Sequence, residues 1–183
     1  IGRGQGVMPP EEQMRGEYYK LNQRITVYIK EIGETPRGKA IIVSRRAPEL
    51  IAELFRREVP EVASGAVEIK AIAREGGTRT KIAVDSKQEG VDPVGSCVGQ
   101  KGVRVQAVIS EVNNEKIDII QYNPKIEKFT AAALAPAEGL QITVDEKKKK
   151  AVVIVPDDQL SLAIGRGGQN VRLAGKLIGD YTI

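Results

Sequence analysis

Apolar and polar residues alternate along residues 25–30, where Ile25, Val27 and Ile29 are separated by Thr26, Tyr28 and Lys30. That is the period of a half-buried strand. A loop containing Gly33, Pro36 and Gly38 leads to a second apolar run at residues 40–43, so residues 25–44 read as a β-hairpin. Two strands cannot bury a core alone. The hairpin is therefore expected to be the end of a β-rich domain whose other strands lie before Ile1 or leave no readable pattern.

From Pro48 the period lengthens. Leu50, Ile51, Leu54 and Phe55 fall on one helical face, Pro48 suits the first helical position, and Pro60 ends the run. Residues 67–73 and 80–84 read as strands around a Gly76-Gly77 turn. Asp92-Pro93 starts a helix, residues 99–102 break it, and Val105, Val108, Ile109 and Val112 form the next helical face. Residues 116–121 close the unit as a strand. The order is helix, strand, strand, helix, helix, strand.

The same order then repeats. Asn123-Pro124 starts a helix through Phe129 to Leu134, and residues 140–144 and 151–155 are strands around a lysine-rich turn. Asp157 or Asp158 is expected to cap a helix carrying Leu160 and Ile164. Residues 165–168 break it, Val171, Ala174 and Ile178 form the following face, Gly179 stops that helix, and residues 180–183 begin a last strand. Val98-Gly99-Gln100-Lys101-Gly102 and Ile164-Gly165-Arg166-Gly167-Gly168, 66 positions apart, fix the register of the repeat. Residues 122–125 are the only linker, too short for the two units to tumble independently.

Gly-x-x-Gly alone carries nothing, since 19 glycines in 183 residues would produce about two such spacings by chance. Context gives the spacing its meaning: both copies join two short amphipathic helices, follow a two-stranded unit, and hold a cation. A turn this tight needs glycines, because Cβ atoms would block both the backbone conformation and the approach of a phosphate. N–H groups at the start of the following helix then face the ligand, and the helix dipole favours negative charge there. Lys101 and Arg166 add mobile cations. Beside such a loop, an aliphatic groove takes bases edge-on, which is how a KH module clamps about four nucleotides of single-stranded RNA.

Composition limits the alternatives. With no histidine and one cysteine, Cys97, the chain lacks the usual general base, the Ser-His and Cys-His nucleophile pairs, an internal disulfide and a thiolate metal cluster. No enzyme activity, cofactor or metal is expected. The few aromatics, 4% of residues, make a base-stacking sheet hard to build but suit an aliphatic groove. Net charge is only +4, and residues 46–122 hold eleven basic against twelve acidic side chains. Any polyanion must be met by a few well-placed cations rather than by bulk charge. No apolar run approaches the roughly 20 residues that span a bilayer. Neither does the start read as a signal peptide, so a soluble, cytoplasmic protein is expected. A first residue other than methionine suggests a fragment or a processed product.

Simpler readings cover other features. Cys97 is a small core residue. Lys147 to Lys150 form a solvated hairpin turn. The Asp157-Asp158 pair follows Pro156 at a helix start and reads as an N-cap rather than a metal or acid–base site. Residues 165–168 are no Walker A loop, because Gln169-Asn170 follow Gly168.

Several segments resemble the bacterial NusA family of transcription factors. They are Glu58-Val59-Pro60-Glu61-Val62, Ala73-Arg74-Glu75, Val91-Asp92-Pro93-Val94-Gly95, Glu115 to Ile120, and the long run from Val155 through Gly165 that continues by Gln169-Asn170 to Arg172. The similarity covers nearly the whole chain. It implies an α+β fold: a partial β-rich OB-fold (S1-like) segment at residues 1–45, then two tandem prokaryotic-type (type II, αββααβ) KH domains at 46–122 and 123–183. It further implies a role in RNA polymerase pausing, termination and antitermination through contact with single-stranded nascent RNA. The polymerase elongation complex would be the partner of the full-length protein, with no membrane involved. The family's motif maps onto Gly99, Gln100, Lys101, Gly102, Val103 and Arg104, and onto Gly165, Arg166, Gly167, Gly168, Gln169, Asn170 and Arg172. Arg166 stands where the family more often has lysine, and Gln121-Tyr122 replace a commoner aromatic ending.

Two other readings compete. One is a KH and OB accessory module of an RNA-processing enzyme such as polynucleotide phosphorylase, where a single KH precedes the OB fold. The other is a KH-containing ribosomal protein, which usually carries a heavier basic excess.

Overall fold

A computed structural model describes residues 5–35 and 38–183. Pro36, placed by the sequence reading in the hairpin loop, lies outside the described residues. Among its described residues the N-terminal segment holds three strands: β1 (Gly6–Val7), β2 (Tyr28–Thr35) and β3 (Gly38–Ser44), in the order β1-β3-β2 with β1 parallel to β3. The hairpin is thus present, but its first strand starts at Tyr28 and not at Ile25. Ile25 and Val27 are half-buried on an irregular lead-in, but so are Thr26 and Tyr28, and Ile29 is half exposed, so the alternation marks no single buried side.

The first repeat runs α1 (Pro48–Glu58), α2 (Pro60–Ala63), β4 (Val67–Glu75), β5 (Arg79–Ser86), α3 (Pro93–Val98), α4 (Val103–Glu111) and β6 (Lys116–Gln121). Pro60 ends α1 as expected, yet it also opens the one-turn α2, since proline is well suited to a first helical position. Asp92 caps α3 by accepting a hydrogen bond from the Val94 amide at 3.1 Å. Strand β5 is central, antiparallel to β4 and parallel to β6. Leu50, Ile51, Leu54 and Phe55 of α1 are buried against Ile82, Val84, Val108 and Val112. Each such side chain contributes roughly 1.5–3 kcal/mol by leaving water. Cys97 lies in the same core, and burial pushes its thiol up to about 11.

The second repeat runs α5 (Ile126–Ala133), β7 (Gln141–Asp145), β8 (Lys150–Ile154), α6 (Leu160–Ile164) and α7 (Gln169–Leu177). Asn123-Pro124 precede α5 rather than begin it, and Asn123 Oδ1 accepts from the Lys125 amide at 2.9 Å. Neither Asp157 nor Asp158 caps α6. Residues 157–159 form a turn, the Gln159 amide bonds to the Pro156 carbonyl at 2.9 Å, and the helix starts after it without a side-chain cap. The expected last strand is a single parallel bridge between Thr182 and Lys150. It is the counterpart of the start of β6: Lys116, 66 positions before Thr182, pairs with the first residue of β5, Arg79, as Thr182 does with the first residue of β8, Lys150.

The two repeats share a core. Ala73, Ala83 and Ile120 on the outer face of the first sheet pack with Phe129, Ala133, Leu173, Ala174 and Leu177. Small residues on that face let α7 lie close to β4 and β5. Consequently residues 80–84 of β5 are buried without alternation, as a strand covered on both faces must be. Buried ion pairs tie in the N-terminal segment. Arg45 engages the Glu17 carboxylate and donates to the carbonyls of Thr26 (2.8 Å) and Glu111 (2.9 Å). Arg74, paired with Glu115 at 2.9 Å, reaches the sulfur of Met14 at 3.2 Å. Among the described residues, no helix is long and apolar enough to cross a membrane.

Candidate nucleic-acid interface

The two glycine loops have the same backbone. Gly99 takes φ 75°, ψ 170°, Lys101 takes 52°, 25°, and Gly102 takes 77°, 12°. Gly165, Gly167 and Gly168 take 74°, 169°; 58°, 27°; and 73°, 14°. The third loop position is thus left-handed in both: a glycine in the second loop, a lysine in the first, where a side chain is strained.

The first glycine of each loop has a steric reason as well. A Cβ on Gly99 would sit 2.7 Å from Arg104 Cγ, and one on Gly165 would sit 2.7 Å from Asn170 Cβ. In each unit the residue five positions on folds back over the glycine and ties down the preceding helix. Arg104 donates to the Ser96 carbonyl at 2.7 Å and pairs with Glu61 at 2.9 Å. Asn170 donates to the carbonyls of Leu134 (2.9 Å), Leu162 (3.2 Å) and Ala163 (3.1 Å).

These contacts redistribute the expected site. Gln100, Lys101, Val103, Arg166 and Gly167 are exposed, and Gly102 and Gly168 are partly exposed beside them. Each loop therefore presents one mobile cation, Lys101 or Arg166, at the start of the helix that follows it, where the helix dipole favours an anion. Asn170, by contrast, is completely buried, and its Oδ1 has no hydrogen-bond partner among the described residues. It was expected to face ligand; the structure instead gives its side chain to the loop's own framework. Arg104 is one-third exposed and already paired. Gln169 and Arg172 point toward the first repeat, where Gln169 Nε2 and Arg172 Nε meet the Glu75 carboxylate at 2.9 and 2.7 Å. Glu75 was singled out in the sequence only as part of a familiar segment, without a role.

An apolar groove of about 170 Å³ adjoins the second loop, lined by Leu134, Val153, Val155, Leu160, Ile164 and Val171 among others. Leu160 and Ile164 are 47% and 44% exposed there, although both are aliphatic. Their counterparts in the first repeat, Val94 and Val98, are half-buried. Among the described residues no cluster of His, Cys, Asp and Glu could hold a metal ion.

Comparison with known proteins agrees with the repeat. Residues 45–122 match the NusA-like first KH domain and residues 126–183 the NusA-like second KH domain. Over 179 residues, 98% of the chain, it is 50% identical to the transcription termination/antitermination protein NusA of Bacillus subtilis and 50% identical to that of Thermus thermophilus. The Rickettsia prowazekii protein of the same name is 40% identical over 182 residues. The chain spans 48%, 46% and 36% of these three relatives, respectively. Among solved structures, the crystal structure of APE1850 superposes with a TM-score of 0.52 at 21% identity, covering 73% of this chain and 94% of that one, a likeness of fold alone. With both KH units matched in order and nearly its whole length aligned to these relatives, the chain belongs to the NusA family.

Proposed function

We propose that this chain is an RNA-binding part of a transcription termination and antitermination factor. It holds single-stranded nascent RNA on two glycine loops, in the cytoplasm and in company with the RNA polymerase elongation complex. Residues 1–45 are read as the end of an OB-fold domain preceding KH domains at 46–122 and 123–183. The carrying observation is the paired loop geometry: two matching backbones, each left-handed at its third and fourth positions and each with one exposed cation. The exposed aliphatic groove beside the second loop supports the base-reading half of the account.

The contacts proposed are those of Gly99, Gln100, Lys101, Gly102 and Val103, and of Gly165, Arg166, Gly167, Gly168 and Arg172. Arg104 and Asn170 serve by holding the loops in shape. The family supports this reading over an accessory module of an RNA-processing enzyme or a ribosomal protein. Competition between a single-stranded RNA and its annealed duplex tests it. The single strand should compete far better, because a KH groove reads exposed base edges, and equal competition would refute the groove.

A further inference from the structure

Both oxygens of the Glu75 carboxylate, at the end of β4 in the first repeat, are engaged by the second repeat. Oε1 accepts from Arg172 Nε at 2.7 Å, and Oε2 accepts from Gln169 Nε2 at 2.9 Å. Gln169 Nε2 also lies 3.1 Å from Thr78 Oγ1, across the β4–β5 turn. Arg172 Nη1 in turn donates to the Gly167 carbonyl at 3.0 Å, inside the second glycine loop. Two of the three guanidinium nitrogens are thereby fixed, one by the first repeat and one by the loop. Nη2 has no protein partner among the described residues, and the side chain is 49% exposed. The Arg172 hydrogen bond holds the Glu75 carboxyl below the usual carboxylate range, so both groups stay charged.

We infer that Glu75 is a positioning residue for RNA on the second KH unit: it orients Arg172 so that the free Nη2 edge meets a phosphate held at residues 165–168. The first repeat thus supplies part of the second repeat's binding site. This inference rests on the reading of the loops as RNA clamps. A guanidinium binds anions along its edges. Glu75 and the Gly167 carbonyl take Nε and Nη1 and leave Nη2, so carboxylate and phosphate share Arg172 rather than compete for it. The first repeat has no such device, because Gln106 stands 66 positions before Arg172.

The test is a titration of a ten-nucleotide single-stranded RNA into the 183-residue chain, with E75A, E75Q, R172A, the E75A/R172A double variant and the loop variants Arg166-Gly167→Asp-Asp. E75A should weaken binding about fivefold, the scale of one charge-assisted contact. R172A should weaken it at least as much, and E75A should add nothing in the R172A background. E75Q, whose amide oxygen still accepts from Nε, should recover part of the loss. R172A should lower the salt slope by about 0.7, the value for one phosphate on a single strand. A purely structural Glu75 would weaken binding equally with and without Arg172, and that additivity overturns the inference. So does unchanged or tighter binding by E75A. If the Asp-Asp loop variants bind as tightly as the wild type, the RNA-clamp reading itself fails. If they lose binding while E75A does not, only the role of Glu75 fails.

Discussion

Arg104 Nη1 donates to the Ser96 carbonyl at 2.7 Å, and 66 positions later Asn170 Nδ2 makes the matching bond to the Leu162 carbonyl at 3.2 Å. Unlike side chains thus play the same part, since each braces the end of the helix before a glycine loop from the helix after it. The first unit does this with a half-buried ion pair, the second with a buried amide.

Substitution at Asn170 should therefore act on stability. Asn170→Asp would aim a carboxylate at three carbonyl oxygens and should cost about 3 kcal/mol or more, the scale of an uncompensated buried charge. Asn170→Ala should cost about 1–3 kcal/mol, since it removes the three buried hydrogen bonds that the amide donates. Urea unfolding reads both. A loss of RNA affinity with full stability would return Asn170 to the ligand-facing set.

Much of this architecture was legible in the sequence, and the failures have physical causes. The 66-residue register, the strand at Lys116–Gln121 and the helix start at Asp92-Pro93 followed from periodicity and helix-start chemistry. The cap at Asp157 or Asp158 did not, because a turn through Gln159 separates both carboxylates from the helix amides. Asn170 and Arg172 sit in one motif, yet one is buried and the other faces the neighbouring repeat. Local sequence does not encode which side of a short helix another domain will cover. The inward position of Ala73 and Ala83 on a second core was hidden for the same reason, since alternation fails on a strand buried on both faces.

Lys101 holds a left-handed conformation that its counterpart Gly167 adopts without strain. Replacing Lys101 by glycine should raise stability by about 1 kcal/mol. The same variant should bind RNA more weakly and with a salt slope lower by about 0.7. Thermal unfolding and titrations at several salt concentrations separate the effects. An unchanged RNA affinity would show that the ammonium meets no phosphate.

Lys81 is fully buried on β5, 3.2 Å from the Ala135 carbonyl in the second repeat and 3.4 Å from Asp118. Burial lowers its pKa from 10.5 to about 8. Below about 8 the folded protein carries a buried ammonium; between 8 and 10.5 the unfolded chain binds more protons, so stability rises with pH. Relative to Lys81→Met, the wild type should gain about 2 kcal/mol between roughly pH 7 and pH 9.5. Asp118 keeps Arg79 as partner at 2.6 Å in the variant. Urea unfolding at both pH values checks this, and a difference that does not change would place the titration elsewhere.

The central claim is that two loops on one rigid body grip one strand of RNA. Because the repeats share a core, the second loop engages at high effective concentration once the first is filled. Each KH clamps about four nucleotides, so affinities for single-stranded RNAs of about four and about ten nucleotides test this most directly. The longer RNA should bind about a hundredfold more tightly or better. Replacing either Gln100-Lys101 or Arg166-Gly167 by Asp-Asp should remove that advantage. A longer RNA that binds only about twofold more tightly, the statistical doubling of a single site, would contradict the account.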